Sequence, residues 1–125
     1  MEELPQESQG TYQHRALVTN TSDAACLLQP APWTLLQDSG GVVISAGVPL
    51  GSGVPIELAP GQRAESMITT MTGESLGSRC EQATAKSLLV GLRANDPRAV
   101  RVPITVTACR HLPTVQPIPF SVLGP

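Results

Sequence analysis

Aromatic side chains are scarce in this chain of 125 residues, and basic side chains are not in excess. Because Tyr12, Trp33 and Phe120 are the only aromatic residues, the core must be built mainly from aliphatic side chains. The formal net charge is −2, from eight basic and ten acidic residues. A nucleic-acid-binding domain usually carries a basic surface and stacking aromatic side chains. The lack of both argues against a nucleic-acid partner.

Long apolar segments are also missing. No run approaches the roughly 18 consecutive apolar residues of a transmembrane helix, so we expect no membrane span. A basic segment followed by an apolar one, as in a signal peptide, is not found either. We therefore expect either a cytosolic protein or an exported one whose signal is absent from this sequence. Residues 1–10 are polar and acidic and are predicted to be a flexible tail before a single domain over 11–125.

Glycine and proline are abundant, with 11 and 12 residues, which favours short strands and turns over long helices. The clearest strand covers residues 99–109, AVRVPITVTAC, in which valine and isoleucine alternate with other residues. About seven or eight short strands are predicted, which is typical of an all-β, antiparallel, immunoglobulin-like β-sandwich. Only residues 81–89 could instead form one or two turns of helix.

Two turns have a defined chemistry. Residues 20–23, NTSD, can hydrogen-bond their own backbone, and residues 59–62, APGQ, suit a type II turn. In the strand that follows, Ala64, Ser66 and Ile68 are expected to face inward. Residues 20–22 also match a glycosylation sequon, which has meaning only in a chain that a eukaryote secretes.

The three cysteines are too far apart for a zinc motif. We expect a disulfide between Cys80, in the loop before one strand, and Cys109, at the end of the next. In the chain-entropy account such a loop closure contributes about 3–4 kcal/mol. Three buried thiols in a cytosolic protein are the alternative. With the disulfide formed, Cys26 is either a buried free thiol or a residue whose partner lies upstream of this sequence.

Residues 73–77, GESLG, match the G-x-S-x-G pattern of a serine hydrolase. That pattern requires a strand, a helix and a supporting α/β sheet that also places a histidine and an acid. This chain is too short and too rich in predicted strands for that scaffold. We therefore interpret Ser75 as part of an ordinary loop and expect no catalytic residues.

The only histidines, His14 and His111, could form a soft copper site with Met67, Met71 and Cys26. Nothing in their spacing supports such a site, because Met67 and Met71 would lie on the outward side of a strand whose Ile68 faces inward. We expect no metal and no cofactor.

Arginines cluster near the strongest strand, at Arg93, Arg98, Arg101 and Arg110. They form either an anion-binding patch or a solvated outer face. Trp33 is either an exposed contact residue or a core residue beneath the sandwich. Arg98, Arg101, Arg110 and Trp33 are the candidate interaction surface.

Several segments together resemble a family of actinobacterial secreted domains of unknown function. They are LVTNTS over residues 17–22, CLL over 26–28, LAPGQRA over 58–64, and the late Cys80 and Cys109. The resemblance covers residues 12–123 and implies a small immunoglobulin-like sandwich, often exported or lipid-anchored at the cell envelope. It implies no catalytic residues.

These features favour a non-catalytic binding or structural module, extracellular or at the cell envelope, with an unknown protein or envelope partner. One alternative is an inhibitor-like module that presents residues 48–54 to a protease. The other is a small hydrolase that uses Ser75.

Overall fold

The computed structural model describes residues 2–8, 13–49, 51, 53–71 and 78–123. These residues form eleven β-strands and no α-helix. In chain order the strands are β1 (Glu2–Ser8), β2 (Gln13–Thr19), β3 (Cys26–Leu28), β4 (Trp33–Gln37), β5 (Val43–Ala46), β6 (Ile56–Leu58), β7 (Arg63–Thr70), β8 (Gln82–Gly91), β9 (Val100–Cys109), β10 (Val115–Pro117) and β11 (Ser121–Val122). The prediction of an all-β chain is confirmed, and residues 82–89 lie in a strand rather than in a helix.

The strands pair antiparallel in three sheets. Sheet A has the order β1-β2-β7-β10, and β11 also pairs with β7. Sheet B contains only β3 and β6, and sheet C has the order β5-β4-β8-β9. Sheets A and C face each other across the main core, as the predicted sandwich requires. The strand number exceeds the predicted seven or eight, because four of these strands have only two or three residues.

The main core is aliphatic, as the scarcity of aromatic residues predicts. Both facing sheets contribute to it, through Ala16, Leu36, Ile44, Ile68, Ala85, Leu88, Val90, Val102, Val106, Ala108 and Val115. A second cluster lies under sheet B and includes the buried ring of Phe120. Strand β7 buries Ala64, Ser66 and Ile68 as expected. Period-two alternation therefore indicates the inward side of this strand correctly.

Strand β9 is the stretch that the alternation of valines identified. Val102 and Val106 are buried, whereas Arg101, Pro103 and Thr105 are exposed. A proline fits in β9 because this strand forms an edge of sheet C, where a missing N–H disturbs the sheet least.

The flexible tail predicted over residues 1–10 differs from the structure, in which Glu2–Ser8 forms β1 and pairs with β2. The two strands are joined through their backbones, with Leu4 opposite Leu17. Backbone N–H and C=O groups pair in the same way whatever side chains they carry. A polar, acidic sequence can therefore add an edge strand without any apolar pattern that reveals it.

The turn after β2 is organised by Asn20, whose side chain is fully buried. Its Nδ2 donates hydrogen bonds of 2.9 Å to the carbonyl oxygens of Ala24 and Leu58. Its Oδ1 accepts hydrogen bonds from the backbone N–H and the hydroxyl of Ser22. The predicted side-chain-to-backbone turn is thus present. The same bonds occupy the amide nitrogen that a glycosylation sequon would offer.

The turn between β6 and β7 has the geometry that its proline and glycine predict. The backbone N–H of Gln62 donates to the carbonyl of Ala59 at 3.0 Å, and Gly61 has φ +81°. A positive φ at the third residue is what a type II turn requires. Gly61 also donates its N–H to the carbonyl of Asn20, so the two turns support each other.

Candidate functional site: the outer face of sheet C

The predicted disulfide between Cys80 and Cys109 is present, with Cα atoms 5.0 Å apart. Cys109 ends β9 and lies opposite Gln82 at the start of β8, so the bond closes the open end of this hairpin. Cys26, on β3, is free and half-buried. The disulfide therefore holds together two of the four strands of sheet C.

The outward side of sheet C is defined by strand β4. Thr34 and Leu36 are buried against the core, so alternation places Trp33, Leu35 and Gln37 on the opposite side, where each is half-buried. Across the sheet, Leu35 lies opposite Leu89 of β8.

Leu89 in turn lies opposite Arg101 of β9. Leu35, Leu89 and Arg101 therefore form one row across three strands.

Trp33 lies against Gly91 of β8, its partner across the ladder. A Cβ built on Gly91 would stand 3.3 Å from Cε3 of Trp33 and 2.8 Å from Cβ of Asp96. Because residue 91 has no side chain, the indole ring and the turn that contains Asp96 can both approach the backbone at this point.

That turn, between β8 and β9, is held by the Asp96 carboxylate. It accepts hydrogen bonds of 2.9 Å from the backbone N–H groups of Leu92 and Arg98. The Leu92 N–H has the largest effect in lowering the pKa of Asp96, followed by that of Arg98, and the charges of Arg93 and Arg98 add to it. The turn thereby places Arg98 beside the end of the sheet that carries Trp33.

Arg101 is exposed on the same face. One nitrogen of its guanidinium donates to Oε1 of Gln37 at 3.0 Å and to Oγ of Ser87 at 3.1 Å. Both acceptors are uncharged, so they orient the guanidinium without neutralising it. We call Trp33, Leu35, Gln37, Leu89 and Arg101 the Trp33 face.

The structure brings together only part of the predicted interaction surface. Trp33 and Arg101 share the Trp33 face, and Arg98 lies in the turn beside it. Arg110 follows the far end of β9, about 30 Å along the strand from Arg101 at the usual rise per residue.

Trp33 fits neither of its two interpretations fully, because it is absent from the main core but is half-buried rather than exposed. Sequence reasoning missed Leu35, Gln37 and Leu89 as members of this face. Alternation along β4 and β8 was the available signal.

The other candidate residues do not assemble into a site. Ser75 lies outside the described residues. His14 lies on the core-facing side of sheet A, whereas Met67 lies on the opposite side of that sheet. Cys26 belongs to sheet B. The part of the chain that the structure describes contains no group of three or more His, Cys, Asp or Glu side chains able to hold a metal.

The burial of the His14 side chain makes the stability of the protein depend on pH. It is buried beside Ser66, Ile68 and Thr70, and within the described residues neither ring nitrogen has a hydrogen-bond partner. Burial lowers the pKa of His14 below 6.5, because removal from water disfavours the charged ring. The unfolded chain therefore binds a proton more readily than the folded one.

We expect the free energy of unfolding to be insensitive to His14 above pH 6.5 and to fall as the pH drops below it. Urea unfolding midpoints between pH 4.5 and 8 should show this decline in the wild type and a weaker one in His14→Leu. His111→Gln, at an exposed position, is the control and should follow the wild type. Parallel curves for the wild type and His14→Leu would contradict the prediction.

Comparisons with known proteins leave the activity of this chain open. Among the described residues there is no helix long and apolar enough to cross a membrane. Neither the curated proteins nor the solved structures include a match to this chain. The family described as "Domain of unknown function (DUF4232)" matches residues 3–118. That match covers most of the chain, from within β1 to just beyond β10, so this protein belongs to the DUF4232 family.

Proposed function

We propose that this protein is a non-catalytic, exported binding module of the cell envelope, and that the Trp33 face contacts a protein partner. The disulfide supports export, because disulfides persist in oxidising compartments and are rare in the cytosol. The resemblance to secreted, often lipid-anchored domains points to the same location. What carries the proposed binding role is the presence, on one sheet face, of a half-buried tryptophan and an arginine that uncharged acceptors orient.

The composition of this face favours a protein over a small ligand. Tryptophan and arginine are the residues most enriched where binding energy concentrates in protein interfaces. Here they lie on an open sheet, with Leu35 and Leu89 between them and Gln37 beside them. Because β4 and β8 are interior strands of sheet C, the face is rigid and loses little entropy on binding.

The charge of the face indicates the kind of partner. Within the described residues, the Arg101 guanidinium donates to the uncharged acceptors Gln37 and Ser87, and Arg98 adds a second exposed cation nearby. An acidic surface on the partner would complement both and would accelerate association. The expected partner is thus a protein with acidic residues around an apolar centre.

Cross-linking to solubilised envelope proteins of the organism that encodes the chain would test this role. Mass spectrometry should identify at least one protein captured by the wild type and lost with Trp33→Ala and with Arg101→Glu. Arg63→Glu is the matched control, since Arg63 is an exposed arginine on sheet A. With the captured protein purified, both face variants should lower the affinity at least tenfold, and Arg63→Glu should not. Equal affinity for the wild type and both face variants would refute the proposal.

An inhibitor-like role is a second candidate, favoured by the exposure of the loop between β5 and β6. Val48 is 50 % exposed and Val54 is 74 % exposed. A screen against serine and cysteine proteases tests it directly, with inhibition that Val54→Asp abolishes as the supporting result. The hydrolase alternative requires labelling of Ser75 by a fluorophosphonate probe, and we expect none.

A further inference from the structure

We propose that Arg101 recognises an aspartate or glutamate carboxylate of the protein partner through one edge of its guanidinium, the edge formed by Nε and Nη2. This inference rests on the proposed binding role of the Trp33 face and adds to it the group that Arg101 binds. The charge of the face predicts only that the partner is acidic. The hydrogen bonds of Arg101 specify the geometry of the acidic group.

Two uncharged acceptors hold one nitrogen of the guanidinium and leave the other two open. Nη1 of Arg101 donates to Oε1 of Gln37 at 3.0 Å and to Oγ of Ser87 at 3.1 Å. Because Nη1 is the terminal nitrogen on the side of Cδ, the N–H groups of Nε and Nη2 point in parallel from the other side of this rigid, planar group. Among the described residues neither Nε nor Nη2 has a hydrogen-bond partner. Two parallel N–H donors match the two oxygens of a carboxylate.

The acceptors of Arg101 lie on paired strands that keep them in place. Gln37 of β4 and Ser87 of β8 are directly opposite each other in sheet C. The Arg101 side chain starts on β9 and therefore extends over β8 towards β4, so that its guanidinium lies over the row of Gln37 and Ser87. A side chain that is already held in one position loses less conformational entropy when it binds a partner.

Within the described residues, no carboxylate occupies the Nε–Nη2 edge. Arg101 forms no ion pair with any of them, whereas Arg15 on sheet A is paired with Glu65. In the turn that precedes β9, the Asp96 carboxylate already accepts hydrogen bonds from two backbone N–H groups. A carboxylate for the exposed Arg101 must therefore come from another molecule.

The register of sheet C sets the distance between this carboxylate and the apolar contact. Trp33 lies four residues from Gln37 on the same strand and the same face, which is about 13 Å at the usual rise per residue. Leu35 and Leu89, which are opposite each other, lie midway between them. A partner that covers Trp33 must therefore present its carboxylate about 13 Å from the residue on the indole, with an apolar group between the two.

Titrating sodium acetate into ¹⁵N-labelled protein at constant ionic strength tests the Nε–Nη2 edge, because each arginine Nε–H gives its own NMR signal. We expect the Arg101 signal to reach half-saturation at an acetate concentration at least fivefold lower than the signal of Arg63, an exposed arginine on sheet A. Acetamide has no anionic oxygen pair and should leave the Arg101 signal unchanged. Equal half-saturation for the two arginines, or an equal response to acetamide, would overturn the inference.

Gln37→Leu removes one acceptor of Nη1 without changing the charge of the protein. In this variant the half-saturation of Arg101 should rise towards that of Arg63, because the guanidinium is then less restrained before it binds. Ser87→Ala makes the same test on the second acceptor. Gln82→Leu, at an exposed glutamine near the other end of the β8–β9 hairpin, is the matched control and should change nothing. A half-saturation that neither Gln37→Leu nor Ser87→Ala alters would contradict the role of the orienting bonds.

The protein captured by cross-linking provides the second test. Arg101→Lys keeps the charge but loses the two parallel donors, so it should lower the affinity about 3- to 10-fold, the effect of one hydrogen bond. Arg63→Lys should leave the affinity unchanged, and so should phosphatase treatment of the partner. Wild-type affinity in Arg101→Lys, or a loss after phosphatase treatment, would overturn the carboxylate contact and leave the binding role intact. If Trp33→Ala and Arg101→Glu both bind like the wild type, the proposed function fails, whereas the acetate titration still decides what the Nε–Nη2 edge binds.

Discussion

Replacing Asn20 by alanine is expected to lower the free energy of unfolding by about 2–4 kcal/mol. The amide nitrogen of Asn20 satisfies the carbonyl oxygens of Ala24 and Leu58, and its side chain is fully buried. The Leu58 carbonyl loses a buried hydrogen bond, and a buried polar group left without a partner destabilises a protein by about 1–3 kcal/mol. The carbonyl of the exposed Ala24 keeps the hydroxyl of Ser22 as a donor. The substitution also removes the acceptor that shapes the turn at Ser22. Urea unfolding followed by far-ultraviolet circular dichroism measures the change.

Asn20→Asp separates the two roles of this side chain. The aspartate keeps an oxygen that can accept from Ser22 but cannot donate to the two carbonyl groups. We expect a loss as large as that of Asn20→Ala, because a carboxylate would then face carbonyl oxygens. Ser22→Ala is the control and should change stability by less than about 1 kcal/mol, since Ser22 is exposed. If Asn20→Asp is as stable as the wild type, the two donated hydrogen bonds do not contribute.

Removing the disulfide is expected to destabilise the protein by about 3–4 kcal/mol. The bond closes a loop between residues 29 apart in sequence, and the chain-entropy account assigns this magnitude to a loop of that length. Cys80→Ala combined with Cys109→Ala removes the bond without leaving a thiol at either position. The urea unfolding midpoint of this variant should fall to that of the wild type under reducing conditions.

Cys26→Ser is the matched control for the disulfide prediction. Cys26 is free and half-buried, so its replacement should shift the midpoint only slightly and should leave the effect of a reductant intact. The prediction fails if oxidised and reduced wild type unfold at the same urea concentration. It also fails if mass mapping of the oxidised protein finds Cys80 and Cys109 as free thiols.

Local sequence patterns were sufficient to predict a strand and its inward side wherever one face of that strand packs against the core. Valines at every second position placed β9 and its inward side, and the same logic placed Ala64, Ser66 and Ile68 on β7. The turn at residues 59–62 followed from the backbone preferences of proline and glycine, which act without tertiary contacts. The pairing of Cys80 with Cys109 was also predictable, because each lies at an end of one of two adjacent strands.

Features that depend on which strands become neighbours were not predictable in the same way. Strand β1 has a polar, acidic sequence and pairs with β2 along the backbone, so its sequence carries no apolar signal for a strand. Arg101 and Arg110 are close in sequence but lie far apart along an extended strand. Trp33 and Arg101 share one face of sheet C only through the register of β4, β8 and β9, which no single segment encodes.

Taken by itself, the sequence determined the all-β class, the aliphatic core, the chemistry of the turns and the disulfide. Each of these depends on residue types or on spacing within one segment, where local sterics and side-chain alternation act directly. Only the tertiary structure decided which residues share the Trp33 face, and that a bulge in β5 buries both Ile44 and Ser45. Both depend on the register between strands, which arises when two distant segments bury their apolar sides against a common core.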